Sequence, residues 1–276
     1  MVTIQELKKI CQEIRRETDD WYMWHVLRKI SIRVTWLLLH TPISANGVTF
    51  LFIINGMLIC IVFIFGTKLA FFIGSLMLQF WYVLDMVDGE IARYRKQSVA
   101  TGRFFDYMAH YIIHPFFFIS IGFGLSRESE DSNIFLYSIL AGYSVHLIDV
   151  LLDVSYSVLY RRVKSKLLDP DKEIVFKRLD SSIAGNGNGN RNGSLPKQVF
   201  SFMHRISTFP PIIHIMLCLS IVNMFLKTEL FFYWIYFYAF TATLVWIARV
   251  AAVIMRKKID IEYTQIDNIL SSWKNK

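Results

Sequence analysis

Residues 69–93 read LAFFIGSLMLQFWYVLDMVDGEIAR. The stretch begins as apolar sequence typical of a membrane-spanning helix and ends with Asp85, Asp88 and Arg93. Ionisable side chains are costly inside a bilayer, so they usually mark a functional site there. The stretch therefore predicts a spanning helix with chemistry at its far end.

The polar residues of this stretch and of the next one have helical spacing. Asp85 and Asp88 are three residues apart and share a helix face, and Asp106, His110 and His114 follow at intervals of four on another face. Two such faces, if they meet, are suited to hold one or two divalent cations.

The spacing resembles the signature of the CDP-alcohol phosphotransferases, D-x-x-D-G-x-x-A-R-x8-G-x3-D-x3-D. Seven of its eight fixed positions are matched, at Asp85, Asp88, Gly89, Ala92, Arg93, Gly102 and Asp106. The eighth position, an Asp in the family, is His110 here. The resemblance implies a membrane transferase that moves a phospho-linked group from a CDP-activated donor to an acceptor and releases CMP. It also implies a homodimer.

The resemblance implies a role for each matched residue. Asp85, Asp88 and Asp106 would be the metal ligands, and oxygen ligands suit Mg²⁺ or Mn²⁺. Two ions would neutralise the donor pyrophosphate and stabilise both the attacking and the leaving oxygen. The CDP moiety would lie against small residues and beside one cation, a set that comprises Gly89, Ala92, Arg93 and Gly102.

His110 leaves three hypotheses open. In the family the replaced Asp is proposed to deprotonate the acceptor hydroxyl, and an imidazole can accept a proton at neutral pH, so His110 and Asp106 are the candidate catalytic residues. His110 is equally able to bind metal through nitrogen. In the third hypothesis the acceptor is already an anion, such as a polyprenyl phosphate, and His110 helps to neutralise it.

The whole chain has the composition of an integral membrane protein, with 54% hydrophobic and 16% aromatic residues. It predicts an all-α polytopic fold, because each apolar stretch approaches the roughly 20 residues that a spanning helix needs. We expect six spans, at 48–66, 69–92, 104–125, 133–158, 210–226 and 230–254.

Basic residues predict the orientation. They cluster before the first span and after the second, fourth and sixth, so the positive-inside rule places both termini and the signature in the cytoplasm. The net charge of +8 is thus an orientation signal and does not indicate nucleic-acid binding. No cleavable signal peptide is expected, and the three scattered cysteines indicate neither a disulfide framework nor a zinc site.

The predicted domain organisation has three parts. Residues 1–40 form an N-terminal segment whose Trp, Tyr, Arg and Lys residues indicate an interfacial amphipathic helix. Residues 41–258 form the six-helix catalytic domain, and residues 259–276 form a cytoplasmic tail. Within the catalytic domain, the polar residues from about 161 to 205 include a Gly/Asn run and predict a flexible cytoplasmic loop.

Four further residues are candidate substrate contacts. Asn46 and Thr49 open the first span and are candidates for the nucleotide-phosphate end, although Ser44 or Asn46 is also a candidate helix cap. Asp149 and Asp153 share a stripe of the fourth span and are possible acceptor contacts. The alternative for these two aspartates is a structural polar pair facing a neighbouring helix.

We therefore expect a divalent-metal-dependent transferase that works at the cytoplasmic leaflet on a lipid or alcohol acceptor, as in phospholipid synthesis. The alternative enzyme transfers a phospho-sugar or phospho-alcohol to a polyprenyl phosphate carrier in surface glycan assembly. A different class is an inactive scaffold that acts as a transporter or lipid-binding protein. Charges at one end of the helices, away from the midplane, argue against a transporter.

Overall fold

The computed structural model describes residues 2–17, 19–97, 100–129, 131, 133–167, 209, 211–226, 228–255, 257 and 259–266. Within these residues the regular structure is helical, as predicted. The main helices are α1 (Ile4–Cys11), α2 (Arg28–Leu38), α3 (Ala45–Ile64), α4 (Lys68–Tyr94), α5 (Ala100–Glu128), α6 (Asn133–Leu167), α7 (Pro211–Phe225) and α8 (Leu230–Met255). Short 3₁₀ and π turns, Glu13–Arg15 and Met23–Leu27, lie between α1 and α2.

Among the described residues, five helices are long and apolar enough to cross a membrane: α3, α4, α5, α6 and α8. They correspond to five of the six predicted spans. The remaining prediction, 210–226, corresponds to α7, an apolar helix of 15 residues. At about 1.5 Å per residue α7 is about 22 Å long, shorter than the roughly 30 Å hydrocarbon core.

Local signals explain where α3 and α4 begin and how they are joined. Ser44 caps α3 by accepting a bond from the Gly47 amide, and Thr67 caps α4 by accepting one from the Ala70 amide. Gly66 turns the chain between them with a φ of +71°. A Cβ at this position would also overlap the backbone carbonyl of Gly124 in α5. Glycine is therefore required both for the positive φ and for the close approach of α5.

The first three spanning helices pack around aromatic residues. Phe52 of α3 stacks on Trp81 of α4 with ring centroids 4.3 Å apart, and both rings are fully buried. Gly56 lets α4 and α5 approach α3, because an added Cβ would lie 2.9 Å from the Trp81 indole nitrogen and 2.6 Å from Ile113. This packing aligns the end of α4 with the beginning of α5.

Helix α6 is longer than the sequence predicted. The fourth span was expected at 133–158 and the flexible loop from about 161, but α6 continues to Leu167. Residues 161–167 are mainly Arg, Lys, Val and Leu and contain no Gly or Pro, so charge alone does not end the helix. The rest of the predicted loop lies outside the described residues.

The described chain groups into two compact units, one from 1–146 with 208–240 and one from 147–207 with 241–276. All signature residues and the N-terminal helices α1 and α2 belong to the first unit. Asp149 and Asp153 belong to the second. The N-terminal segment is helical as expected, and its buried face includes Leu27 and Ile32.

Candidate active site

Three ionisable side chains meet where α4 ends and α5 begins. His110 Nε2 lies 3.0 Å from Asp85 Oδ1 and 3.4 Å from Asp106 Oδ1. Each of the three residues offers one possible ligand atom, and these three atoms lie within 4.8 Å of one another. The two predicted faces therefore meet, and both carboxylates lie against Nε2 of His110.

The second nitrogen of His110 is also held. Nδ1 lies 3.0 Å from His114 Nε2, one helical turn along α5. When Nε2 carries the proton it donates to Asp85, and Nδ1 then accepts from His114. When Nε2 is unprotonated, Nδ1 carries the proton and donates to His114. His114 thus orients the ring in either tautomer.

Aromatic rings support the two histidines. Trp81 contacts both edge-on, with centroid distances of 5.3 Å to His110 and 5.6 Å to His114. His114 is buried and stacks on Phe209 at 3.6 Å with nearly parallel rings. His114 therefore packs between aromatic rings, and its contact with His110 adds a positioning role.

Asp88 is held separately from these three side chains. It is only 9% exposed and accepts a 2.7 Å hydrogen bond from Thr49 Oγ1 of α3. Asp88 is therefore absent from the close Asp85, Asp106 and His110 group, although it shares a cavity with Asp106. Thr49, predicted as a substrate contact, orients this carboxylate in the structure.

A cavity of about 410 Å³ opens beside the carboxylates. It is lined by residues of α3, α4, α5, the connection between α4 and α5, and the N-terminal segment, namely Arg15, Ala45, Asn46, Thr49, Asp88, Gly89, Ala92, Arg93, Gln97, Gly102, Arg103, Asp106 and Tyr107. Three arginines and two carboxylates thus face one space. Such a mixture is suited to a phosphate group that binds together with a divalent cation.

The small residues of the signature shape this cavity. An added Cβ at Gly102 would lie 3.0 Å from Asn46 Oδ1, and one at Gly89 would lie 3.2 Å from an Arg93 guanidinium nitrogen. Arg93 Nε is buried and has no hydrogen-bond partner among the described residues. Glycine at these positions leaves Asn46 and Arg93 room to face the cavity. The predicted helix cap proves to be Ser44, so Asn46 remains a candidate substrate contact.

This arrangement lies inside a recognised sequence domain. The family model for CDP-alcohol phosphatidyltransferase matches residues 42–167, which include the whole signature. The chain therefore carries a CDP-alcohol phosphatidyltransferase domain. None of the curated proteins compared with the chain matches it. The domain and the apolar helices support a membrane phosphotransferase.

The donor set of this phosphatidyltransferase domain fits a divalent metal ion. Asp85 and Asp106 offer carboxylate oxygen, which suits Mg²⁺ and Mn²⁺, and His110 offers an imidazole nitrogen, which suits transition metals. Asp106 Oδ1 is buried and receives no well-oriented hydrogen bond from any residue that the structure describes. A buried carboxylate oxygen without a donor is suited to a cation.

The two aspartates predicted to contact the acceptor remain predictions. Asp149 and Asp153 are both half-buried and lie in the second unit. Asp149 interacts electrostatically with Arg249 of α8 in that unit. This interaction favours the structural alternative for Asp149 and does not bear on Asp153.

Sequence reasoning missed two residues of this site. Trp81 lies four residues before Asp85, which places it on the same helix face, and that spacing was a usable signal. Glu90 was read as a variable position of the signature, yet it is fully buried. A glutamate inside an apolar helix was itself a signal of a hydrogen-bonded partner.

Proposed function

We propose that the protein transfers a phospho-linked group from a CDP-activated donor to a lipid or alcohol acceptor, with release of CMP. The observation that carries the proposal is the Asp85, Asp106 and His110 group beside an arginine-lined cavity within the phosphatidyltransferase domain. The reaction is of the kind used in phospholipid synthesis.

The cavity would hold the CDP end of the donor. Arg93 and Arg103 provide positive charge for the phosphates, and Asn46 offers an amide for hydrogen bonding. Gly89, Ala92 and Gly102 keep the backbone of α4 and α5 accessible to a flat nucleotide. These contacts would fix the donor with its phosphorus near the carboxylates.

Asp85, Asp88 and Asp106 would hold one or two Mg²⁺ or Mn²⁺ ions. When bound, such ions neutralise the pyrophosphate and polarise the bond that breaks. Thr49 orients Asp88 through its hydrogen bond, and α4 and α5 hold Asp85 and Asp106 against the same nitrogen of His110.

His110 is the proposed general base. Its Nε2 accepts the proton of the acceptor hydroxyl while Nδ1–H donates to His114, so the ring gains a proton without turning. The acceptor oxygen forms a bond to the donor phosphorus, and the bond from phosphorus to the CMP oxygen breaks. The CMP oxygen leaves with the electron pair of that bond.

The proposed site faces the cytoplasm, with both termini on the same side and α7 as the fifth crossing. The support is the basic residues that flank the spans at the signature end. The test compares Arg16→Cys with Lys257→Cys, using a membrane-impermeant thiol reagent on intact cells and on inverted vesicles. Protection of both in intact cells fits the proposal. If one of the two cysteines is labelled only in intact cells and the other only in inverted vesicles, the termini lie on opposite sides and α7 does not cross the membrane.

The activity test is CMP release by the purified protein in lipid nanodiscs with Mg²⁺ or Mn²⁺. Donors are CDP-diacylglycerol and CDP-alcohols, and acceptors are small alcohols, diacylglycerol and polyprenyl phosphate. Asp106→Asn is the blank. Release with an alcohol or diacylglycerol supports the proposal, and release only with polyprenyl phosphate moves the protein to glycan assembly. Release no greater than the blank with every pair refutes CDP-dependent transfer.

A further inference from the structure

The buried carboxylate of Glu90 joins the N-terminal segment to the signature helix. Its Oε1 accepts hydrogen bonds from Gln12 Nε2 at 2.8 Å, Ser31 Oγ at 2.8 Å and Arg28 NH1 at 3.3 Å. Its Oε2 accepts from Thr35 Oγ1 at 2.6 Å. The four donors all come from residues 12–35, outside the matched domain.

One guanidinium in this network is paired with two carboxylates. Glu90 is fully buried, and Arg28 is paired both with Glu90 and with Asp19, whose carboxylate lies 2.7 Å from the guanidinium. A buried ion pair of this kind adds little net stability, and it strongly disfavours separation of its partners. The network is therefore suited to hold one segment in a fixed position against another.

A short chain of bonds leads from Glu90 to the cavity. Gln12 is fixed by its side-chain bond to Glu90, and its backbone carbonyl accepts a 2.8 Å hydrogen bond from the Arg15 amide. Arg15 ends the 3₁₀ turn Glu13–Arg15 and lines the cavity together with Arg93 and Arg103. The anchor point, Glu90, is two residues from Asp88 and three from Arg93 on α4.

We infer that Arg15 binds a phosphate of the CDP-linked donor and that Glu90 is the positioning residue that holds Arg15 there. The inference rests on the proposed function, because it assumes a nucleoside diphosphate in the cavity. The doubly esterified pyrophosphate of a CDP-linked donor carries two negative charges, which Arg93 and Arg103 match in number. Asp88 and Asp106 add two negative charges to the same cavity until metal binds. A third guanidinium from outside the matched domain reduces that excess of negative charge.

The test measures binding of CDP with Mn²⁺ to the full chain in nanodiscs, with inorganic pyrophosphate as a competitor. Arg15→Gln lowers the binding affinity for both CDP and pyrophosphate on the order of tenfold, which is the effect of losing one charge-assisted hydrogen bond. Arg15→Lys restores part of the affinity because it keeps the charge. Arg16→Gln, the matched control on the next residue, leaves both affinities unchanged.

Each other outcome counts against the inference. If Arg15→Gln binds CDP as tightly as Arg16→Gln does, Arg15 is not a phosphate contact, and the proposed function stands. If Arg15→Gln binds CDP more weakly but binds pyrophosphate as tightly as the unaltered protein does, Arg15 contacts the base or the ribose. If the unaltered protein binds no CDP, the proposed donor and the inference fall together.

The positioning role of Glu90 has its own readout. Glu90→Gln weakens CDP binding about as much as Arg15→Gln, and the double variant is no weaker than either single one, because both remove the same contact. Additive losses would mean that Glu90 acts on the site by another route. Wild-type CDP affinity in Glu90→Gln would show that the network does not position Arg15.

Discussion

Replacing His110 with Ala separates the proposed base role from metal binding. The substitution removes the one nitrogen that faces both Asp85 and Asp106 and leaves the two carboxylates in place. Loss of a general base lowers turnover by about 10² to 10⁴-fold, which corresponds to roughly 3 to 5 kcal/mol of activation free energy. The proposed metal ligands Asp85, Asp88 and Asp106 all remain, so the metal concentration for half-maximal activity changes by a much smaller factor than the rate does.

The assay is single-turnover CMP release in nanodiscs over a titration of Mn²⁺, which gives the rate at saturating metal and the metal midpoint separately. His25→Ala, an exposed histidine stacked on Trp21 outside the cavity, is the control and behaves as the unaltered protein. His110→Asp restores the family residue and retains substantial activity. A metal midpoint that shifts as much as the rate falls would refute the base role and make His110 a ligand.

Three further outcomes are expected. Gly124→Ala prevents stable folding, because its side chain would overlap a backbone carbonyl of α3, whereas Gly47→Ala is tolerated since the nearest side-chain atom is 3.3 Å away; thermal unfolding in nanodiscs compares the two. Thr49→Val lowers stability by about 1 to 3 kcal/mol because buried Asp88 loses its 2.7 Å donor, and an unchanged melting temperature would contradict this. Burial, with the nearby Glu90 charge, raises the pKa of the Cys11 thiol to about 11, so the thiol stays protonated at neutral pH and resists alkylation. Mass spectrometry after maleimide treatment tests this, and rapid labelling of Cys11 in the folded protein would disprove it.

The sequence predicted the spanning helices well because the signals were local. The expected span 230–254 corresponds to Leu230–Met255, and 69–92 corresponds to Lys68–Tyr94. The end of α6 was placed too early, since a polar composition was taken as a loop although nothing there breaks a helix. Apolar runs predict which residues span the membrane, whereas the ends of a helix depend on capping residues and on helix breakers such as Gly and Pro.

Helix periodicity predicted which residues of the site share a helix face. The signature spacing put Asp106, His110 and His114 on one face, and the structure brings His110 against Asp85 as two facing helices would. Spacing within one helix cannot give distances between helices. The hydrogen bond from Thr49 to Asp88 across 39 positions therefore required the tertiary structure.

The Glu90 network also bears on how the protein is divided for experiments. A fragment cut to the matched range 42–167 would retain the acceptor oxygens of Glu90 and lose all four donors that the structure gives them. The fragment would hold a charged group in an apolar helix with neither water nor partner. The boundary of the matched domain thus separates the two partners of a buried ion pair. A chimera that exchanges this domain between relatives should therefore take residues 2–38 and α4 from the same parent.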